Sequence, residues 1–419
     1  MKLKKYIPLI LIALILILFA LFSQKIGFHD SSEYITFAKN FAGIKNVDLF
    51  NTHSIVYPAL ISVFLKIWPS ATMLKLVNVG WIFLISLVLF FWLKDKRAFL
   101  LFAFSPLTWF VSIQTTPVLP ASFFFLVAYL FLKKEHIRYR LFYSGFFLGL
   151  AYAFYDPMIF LIAIFVLTYF WDKKFYLVFS YLIFLFIGVL PRLILDYAVF
   201  NMPFYSIIRF FGTNMIISLG LYEGASTLHI LNNLSALLII FIISPFLFRL
   251  YKLKFAENKK DVVFLAISGI LILVRTAGFK YFLIATILLI YLAKVLSKRE
   301  IKWHCIISIF IIIWLAAGFF TYTHEIDIQK DLAEITSEFE EIDYLVTGTY
   351  EAGYLASLSW EKEPYFAWYE DFKAKADNQT HLTGYDFGFD SDLALRDQLI
   401  ISANFKRTNN RTYENSIFV

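Results

Sequence analysis

The sequence predicts an all-α polytopic membrane protein of about eleven transmembrane helices, followed by a small α/β domain on the outer side of the membrane. Three observations predict this architecture. Hydrophobic residues make up 60% of the 419 residues and charged residues only 16%, whereas about a quarter of a soluble domain is charged. Apolar runs of about 20 residues, long enough to cross a bilayer, recur through the first part of the chain. Charge also divides the chain, because residues 1–322 hold 30 Lys and Arg against 12 Asp and Glu, while residues 323–419 hold 8 against 19. We therefore expect a membrane domain at 1–322 and an acidic outer domain at 323–419.

The first apolar run extends from Tyr6 to Phe22, directly after a basic N-terminus. It is longer than the core of a signal peptide and no small-x-small cleavage site follows it, so we expect an uncleaved first span. A single cysteine, Cys305, excludes a disulfide framework. The further spans are expected at approximately 73–93, 98–115, 118–132, 141–155, 157–171, 175–195, 229–250, 261–274, 281–296 and 303–322.

The basic residues predict the orientation of these spans. With the N-terminus in the cytoplasm, 21 of the 30 basic residues of the membrane domain fall in short inner segments, as the positive-inside rule requires. These residues are Lys2, Lys4, Lys5, Lys94, Lys96, Arg97, Lys133, Lys134, Arg138, Arg140, Lys173, Lys174, Arg249, Lys252, Lys254, Lys259, Lys260, Lys294, Lys298, Arg299 and Lys302. The net charge of +7 therefore reflects membrane orientation, and we expect no nucleic-acid partner. The C-terminal domain is predicted to be extracytoplasmic, in a multi-pass protein of the plasma membrane.

The outer face carries the candidate functional residues. Two long loops, at about 23–72 and 196–228, lie there in the predicted topology. Ionisable groups at the edge of an apolar bundle are costly and are therefore candidates for function. The outer face collects Asp30, Glu33, Asp48, Asp156, Asp196, Glu223, Arg192, Arg209, Arg275 and Lys280.

An amphipathic helix is predicted in the first outer loop. Tyr34, Phe37, Ala38 and Phe41 recur at helical spacing, which is typical of a helix lying in the membrane interface. Asp30 and Glu33 stand three residues apart at its start and permit two interpretations. Asp30 is either a general base at a membrane-surface active site or the N-cap of a capping box with Glu33.

A second short helix is predicted from His53 to about Trp68, through the pair Tyr57-Pro58. His53 has the residue type of a ligand, but its position favours an ordinary loop residue.

Five segments, taken in order, resemble motifs of the membrane glycosyltransferases of the GT-C superfamily. The resemblance is strongest to enzymes that use polyprenyl-phosphate sugars, such as the protein O-mannosyltransferase and aminoarabinose transferase families. It covers the membrane domain and excludes the C-terminal domain. The segments are His29-Asp-Ser-Ser-Glu-Tyr-Ile-Thr-Phe-Ala-Lys-Asn40, the Tyr57-Pro58 helix, the glycine-bearing span from Gly145 to Pro157, the tract from Pro191 to Pro203, and Arg275-Thr-Ala-Gly-Phe-Lys-Tyr-Phe-Leu283.

The resemblance implies roles for individual residues. Asp30 would be the catalytic base, with Glu33 remaining a second candidate. Arg275 and Lys280 would hold the lipid-linked phosphate, although cations at a helix end also arise by snorkelling. Tyr281 is either a donor-binding residue or part of the aromatic belt. The other candidates are Arg192 for donor binding and His53, Tyr57, Tyr34 and Asp156 for acceptor binding or support.

The chain departs from the family pattern at two points. Two serines separate Asp30 from Glu33, whereas the family's acids are often adjacent or one residue apart. We therefore predict no obligatory divalent metal and no other cofactor, although a metal is possible. There is no Trp-Trp-Asp-Tyr-Gly element, which argues against an oligosaccharyltransferase.

The C-terminal domain is predicted to begin with a strand at Ile342–Gly348 and a helix at Glu351–Trp360. Its aromatic residues favour a packed core or membrane contact over sugar binding; they are Trp360, Tyr365, Phe366, Trp368 and Tyr369. Two glycosylation sequons, at Asn378 and Asn410, fall on the expected side of the membrane.

These patterns predict an inverting glycosyltransferase that moves a sugar from a polyprenyl-phosphate donor to a hydroxyl acceptor on a protein, lipid or glycan. The alternative is a non-catalytic transporter of lipid-linked glycans or a membrane partner of a cell-envelope assembly. Transporters usually bind near the midplane of the bilayer, where the spans here carry almost no charge.

Overall fold

The computed structural model describes most of the chain as helices, and the description leaves gaps between them. The described residues are 7–22, 31–44, 53–93, 96–134, 136–218, 244–252, 259–274, 281–321, 344–347, 365–368, 381–386, 406–407 and 412–416. The helices are α1 (Ile7–Phe22), α2 (Ser31–Ala42), α3 (Val56–Leu65), α4 (Ala71–Leu87), α5 (Lys96–Ala103), α6 (Pro106–Ser112), α7 (Val118–Lys133), α8 (Arg140–Phe154), α9 (Met158–Phe170), α10 (Phe175–Phe200), α11 (Tyr205–Ser218), α12 (Lys259–Val274), α13 (Tyr281–Val295) and α14 (Lys298–Thr321). A π-helical turn at Val88–Trp92 extends α4, and a 3₁₀ segment occupies Leu247–Lys252.

Two of the described helices are long and apolar enough to cross a membrane by length and composition. They are Thr72–Trp92, with 21 residues, and Phe175–Phe200, with 26. Several shorter apolar helices coincide with the predicted spans, among them α1, α7, α9 and α13. The predicted total of about eleven spans stays a prediction, since the greater part of the span expected at 229–250 lies outside the described residues.

The structure corrects two of the expected boundaries. The span expected at 98–115 consists of two short helices, α5 and α6, with a break at Ser105. Pro106 follows, and a proline disfavours helical backbone in the residue before it while starting the next helix well. The span expected at 175–195 continues to Phe200, where Asn201 with φ of 54° ends it in the left-handed conformation. The outer loop expected at 196–228 therefore contains the end of α10 and the whole of α11.

Helices α8 and α10 pack against each other through glycine. A Cβ added to Gly149 would lie 2.0 Å from the carbonyl oxygen of Leu185, and one added to Gly188 would lie 2.1 Å from that of Phe146. Gly145 precedes Gly149 by four residues on the same face, and a Cβ added to it would lie 2.9 Å from the carbonyl oxygen of Tyr181. Small residues at this spacing let helix backbones approach closely in membranes. This contact fixes α10, which supplies Arg192 and Asp196, against α8, which ends beside Asp156.

The predicted cytoplasmic ends of four helices meet at one buried carboxylate. Asp261, in the first turn of α12, accepts hydrogen bonds from the hydroxyls of Tyr129, Tyr169 and Tyr291. Lys133 at the end of α7 lies 2.6 Å from its Oδ1 atom. The carboxylate also complements the positive end of its own helix. This cluster joins α7, α9, α12 and α13 at the end opposite to the candidate site.

The described strands of the C-terminal part form a five-stranded mixed sheet. They are β1 (Tyr344–Thr347), β2 (Tyr365–Trp368), β3 (His381–Asp386), β4 (Lys406–Arg407) and β5 (Thr412–Ser416), in the order β2-β1-β3-β5-β4. Strand β1 is parallel to both β2 and β3, and β5 is antiparallel to β3 and β4. The strand expected at Ile342–Gly348 is thus confirmed. The helix expected at Glu351–Trp360 lies outside the described residues, and the domain division at 322/323 stays a prediction.

Candidate active site

The two helices of the first outer loop pack together, as their apolar faces predict. In α2, Tyr34, Phe37 and Ala38 are buried, and in α3 Tyr57 and Ile61 are completely buried. The helix predicted around Tyr34 is confirmed, but its apolar face packs inside the protein. Burial of this face holds the start of α2, the segment that follows Asp30, in a fixed place.

Glu33 joins α2 to the start of α3. Its Oε2 atom lies 3.0 Å from Nδ1 of His53, and its Oε1 atom accepts the backbone N–H of His53 at 3.3 Å. The ring of Tyr34 packs edge-on against the rings of His53 and Tyr57, at 5.7 and 5.6 Å between centroids. His53 is a loop residue, as the sequence suggested, and its side chain is a half-buried partner of Glu33.

A short turn at Gln114–Thr116 is contacted by three helices in succession. The Asn78 amide of α4 donates to the carbonyl of Gln114 at 2.5 Å, and the Ser31 hydroxyl of α2 donates to that of Thr115 at 2.8 Å. The Tyr57 hydroxyl of α3 faces the backbone of Thr116, outside hydrogen-bonding geometry. Burial raises the pKa of Tyr57 well above its usual range, because the charged phenolate would be withdrawn from water. Asn78 and Gln114 are not among the residues predicted from the sequence. The only sequence signal for them is that both are carboxamides among apolar residues.

Asp156, just after the end of α8, and Arg192, within α10, form a fully buried ion pair. Nη2 of Arg192 donates to Oδ1 of Asp156, and the guanidinium lies 5.2 Å from the ring centre of Tyr152. Oδ2 of Asp156 accepts the backbone N–H of Ser54 at 2.9 Å. The side chains of Asp156 and Arg192 are 1% and 0% exposed, which means that the pair is withdrawn from solvent. Through Ser54, this pair also holds the start of α3, next to His53.

Arg192 continues the network to Asp196. Its Nε atom donates to the Ser206 hydroxyl at 2.9 Å, and that hydroxyl donates to Oδ2 of Asp196 at 2.7 Å. The backbone N–H of Ser206 donates to the same oxygen at 3.1 Å. Nη1 of Arg192 and Oδ1 of Asp196 have no hydrogen-bond partner among the described residues. The network therefore links α11 to α10 and leaves Nη1 of Arg192 without a hydrogen bond to the described residues.

Three of the predicted site residues, Asp30, Arg275 and Lys280, lie outside the described residues, so their expected convergence stays a prediction. Tyr281 is the first residue of α13, and its side chain is not described. Two buried lysines were missed by the sequence analysis. Lys39 on α2 and Lys75 on α4 are 0% and 4% exposed, and both have interaction partners.

The described residues contain no group of three or more His, Cys, Asp or Glu side chains that could hold a metal ion. Because Asp30 and Asp48 fall outside that search, independence from metals remains a prediction. The described residues of the site offer three kinds of chemical group: a half-buried acid, a buried ion pair, and neutral amides and hydroxyls.

Comparison with known proteins identifies the fold. No protein-family model matches the chain, and no curated protein matches it by sequence. Among solved structures, ArnT from Cupriavidus metallidurans bound to undecaprenyl phosphate aligns with a TM-score of 0.63 and 12% identity, over 99% of this chain and 98% of ArnT. The apo structure of the same protein aligns with a TM-score of 0.61 and 11% identity, over 97% of each chain.

ArnT is an aminoarabinose transferase and a GT-C glycosyltransferase. It is an integral membrane protein, in keeping with the composition and the apolar helices of this chain. The five sequence motifs predict this resemblance. The chain has the fold of ArnT, and its predicted resemblance to the GT-C glycosyltransferases is thereby confirmed at the level of the fold.

Proposed function

We propose that this protein is a membrane glycosyltransferase that transfers a sugar from a polyprenyl-phosphate donor to a hydroxyl acceptor on the outer face of the membrane. The observation that carries the proposal is the likeness in fold, over nearly the whole of both chains, to a transferase solved with undecaprenyl phosphate. The fixed position of α2 supports it, because the start of this helix, which follows Asp30 in the sequence, is held by Glu33, Ser31 and the buried face of α2.

The proposed reaction is a single displacement at the anomeric carbon. Asp30 takes the proton of the acceptor hydroxyl as its oxygen forms a bond to that carbon from the face opposite the phosphate. The bond between the anomeric carbon and the phosphate oxygen breaks, and its electron pair leaves with the polyprenyl phosphate. Arg275 and Lys280 stabilise the charge that develops on this leaving group. The product carries the inverted anomeric configuration.

Glu33 is assigned a positioning role because both of its carboxylate oxygens are engaged with His53. Arg192 and Asp156 are likewise positioning residues, since they meet each other in a buried pair that holds the start of α3. Of the two acids left open by the sequence, Asp30 is therefore the proposed base.

The test uses purified protein, a panel of radiolabelled undecaprenyl-phosphate sugars and hydroxyl acceptors. Wild-type protein should release undecaprenyl phosphate and label an acceptor. Asp30→Asn should lower the rate of transfer by at least ~100-fold at unchanged thermal stability, the effect of losing a general base. Glu33→Gln, which keeps an oxygen for the His53 backbone, should stay within about tenfold of wild type.

Two outcomes contradict the proposal in different ways. Wild-type activity in Asp30→Asn would reject the assignment of Asp30 as the base and would leave the proposal of a transferase intact. Movement of the intact lipid across vesicles, with no release of undecaprenyl phosphate from any member of the panel, would favour the transporter.

A further inference from the structure

Helices α8 and α10 begin side by side at the predicted cytoplasmic end of the protein. Gly145 near the start of α8 packs against the backbone of Tyr181 in α10. One turn further along α8, Gly149 packs against the backbone of Leu185. Because the contacting residues advance together, the two helices run parallel. The short turns that lead into them therefore lie at the same end of the bundle.

These two turns expose basic and aromatic side chains together. Residues 133–140 and 171–176 hold six Lys and Arg against two acids. Trp171 and Phe175 are 85% and 82% exposed, and aromatic residues at such positions of a membrane protein lie at the depth of the lipid headgroups. The exposed side chains, which we call the inner rim, are Arg138, Tyr139, Trp171, Lys173, Lys174, Phe175 and Tyr176. The rim is therefore expected at the headgroups of the inner leaflet.

The cations of the inner rim are not neutralised by the described part of the protein. Arg138, Lys173 and Lys174 form no ion pair with the described residues. Asp172, which precedes the two lysines, is bound by Lys260 of α12 instead. The rim therefore offers three exposed positive charges to an anion from outside the chain.

The lipid-facing surface of α10 starts at the inner rim. Its exposed apolar residues recur at helical spacing on one face, beginning with Phe175, Phe179, Ile183 and Phe186. From Phe175 to Phe186 the helix rises about 16 Å, roughly half of a hydrocarbon core. A lipid of one leaflet can therefore place its acyl chains on this surface and its headgroup at the rim. A soluble polyanion would match only the cations.

The outer end of the same surface differs in charge. Ile194, Tyr197 and Met202 are exposed there, but residues 193–204 contain no Lys or Arg. Both ends of α10 thus present apolar side chains, and only the inner end adds cations. Charge complementarity therefore favours an anionic lipid at the inner end alone.

We propose that the inner rim binds the headgroup of an anionic phospholipid of the inner leaflet, whose acyl chains lie along α10. Asp156 and Arg192 lie at the other ends of α8 and α10, so the lipid site is distinct from the candidate active site. The inference goes beyond the proposed function and does not depend on it.

Native mass spectrometry of the purified protein tests this site, by titration with phosphatidylglycerol or with phosphatidylcholine of the same acyl chains. The wild type should favour phosphatidylglycerol by at least about tenfold, because each Lys or Arg near an anionic lipid surface contributes about fivefold. A triple variant, Arg138→Gln with Lys173→Gln and Lys174→Gln, should lose that preference. Its thermal stability in detergent should be unchanged, because all three side chains are exposed.

The matched control removes three exposed charges from the predicted cytoplasmic start of α14, through Lys298→Gln, Arg299→Gln and Lys302→Gln. It lowers the net charge by the same amount and should keep the preference. Trp171→Ala should instead weaken the binding of both lipids alike, because it removes apolar contact and leaves the charge of the rim unchanged.

Three results overturn the inference. The first is a wild-type protein that binds the two lipids equally, and the second is a rim variant that keeps the wild-type preference. The third is an equal loss of preference in the rim variant and in the α14 control, which would show a diffuse attraction to the whole inner face. None of these results bears on sugar transfer, which the activity of the wild type and of Asp30→Asn tests separately.

Discussion

At the scale of single residues, the contacts of the charged side chains separate chemical from supporting roles. Glu33 and Asp156 are both acids on the predicted outer face, where the sequence made Glu33 a second candidate for the base and Asp156 a support residue. The structure engages Glu33 with His53 and Asp156 with Arg192 and the Ser54 backbone. A carboxylate committed to such partners is a poor proton acceptor for a substrate, because both of its oxygens already accept hydrogen bonds from the protein.

Arg192→Met should destabilise the protein by about 3–5 kcal/mol, because Asp156 would remain buried without its counter-ion. Adding Asp156→Asn to this variant should restore most of the stability, since the uncompensated charge is then gone. Denaturant unfolding in detergent measures both effects. The exposed Arg138, replaced by Met, serves as the control and should change stability by less than about 0.5 kcal/mol. A similarly small loss in Arg192→Met would show that the pair is not the anchor of this network.

At the scale of elements, close packing between helices positions the outer ends that carry these residues. Helix α10 approaches α8 at Gly149 and Gly188 more closely than any residue with a Cβ permits. Along the rest of α10, large apolar side chains such as Phe175, Ile194 and Tyr197 are exposed, as expected for a surface that faces lipid. The contact between these glycines thus holds Arg192 and Asp196 of α10 at a fixed position relative to Asp156.

Gly149→Ala should destabilise the protein by about 1–3 kcal/mol, because its Cβ would collide with the Leu185 carbonyl and force the two helices apart. Helix propensity alone predicts the opposite sign. The matched control is Gly269→Ala in α12, where nothing lies within 4 Å of the added Cβ. That variant should gain about 0.5–1 kcal/mol. Thermal unfolding of the two variants side by side measures the difference, and equal shifts would contradict the close contact.

At the scale of the whole molecule, the predicted topology places the two ends of α10 on opposite sides of the membrane. A helix of 26 residues is about 39 Å long, enough to cross a hydrocarbon core. Lys173 and Lys174 precede it and Met202 follows it. The positive-inside rule puts the lysines in the cytoplasm and Met202 outside.

Cysteine labelling in intact cells tests this orientation. Cys305, the only cysteine, is first replaced by serine. In that background Met202→Cys should react with a membrane-impermeant maleimide, and Lys173→Cys should react only after the membrane is permeabilised. Both positions are exposed in the structure, so burial does not confound the result. The reverse pattern would invert the topology and move the proposed site to the cytoplasmic face.

The sequence by itself determined the class of fold and the position of most helices. Bilayer thickness sets the length of an apolar run, and hydrophobic periodicity marks a buried helical face, so both are readable without coordinates. The helix at Ser31–Ala42 was predicted in this way from the spacing of Tyr34, Phe37, Ala38 and Phe41. The motifs that resemble GT-C enzymes predicted the likeness in fold to ArnT.

Only the tertiary structure decided which side chains meet. Glu33 and His53 are 20 residues apart, Ser54 and Asp156 are 102 apart, and Ser31 and Thr115 are 84 apart, so no local pattern links them. The contact of Asn78 with the Gln114 carbonyl joins residues 36 apart and was missed for the same reason. The break at Ser105 has a local signal instead, because Pro106 disfavours helical backbone in the residue before it. Apolar periodicity shows that a face is buried, but packing of distant helices determines what that face is buried against, and hence which polar atoms are left for a substrate.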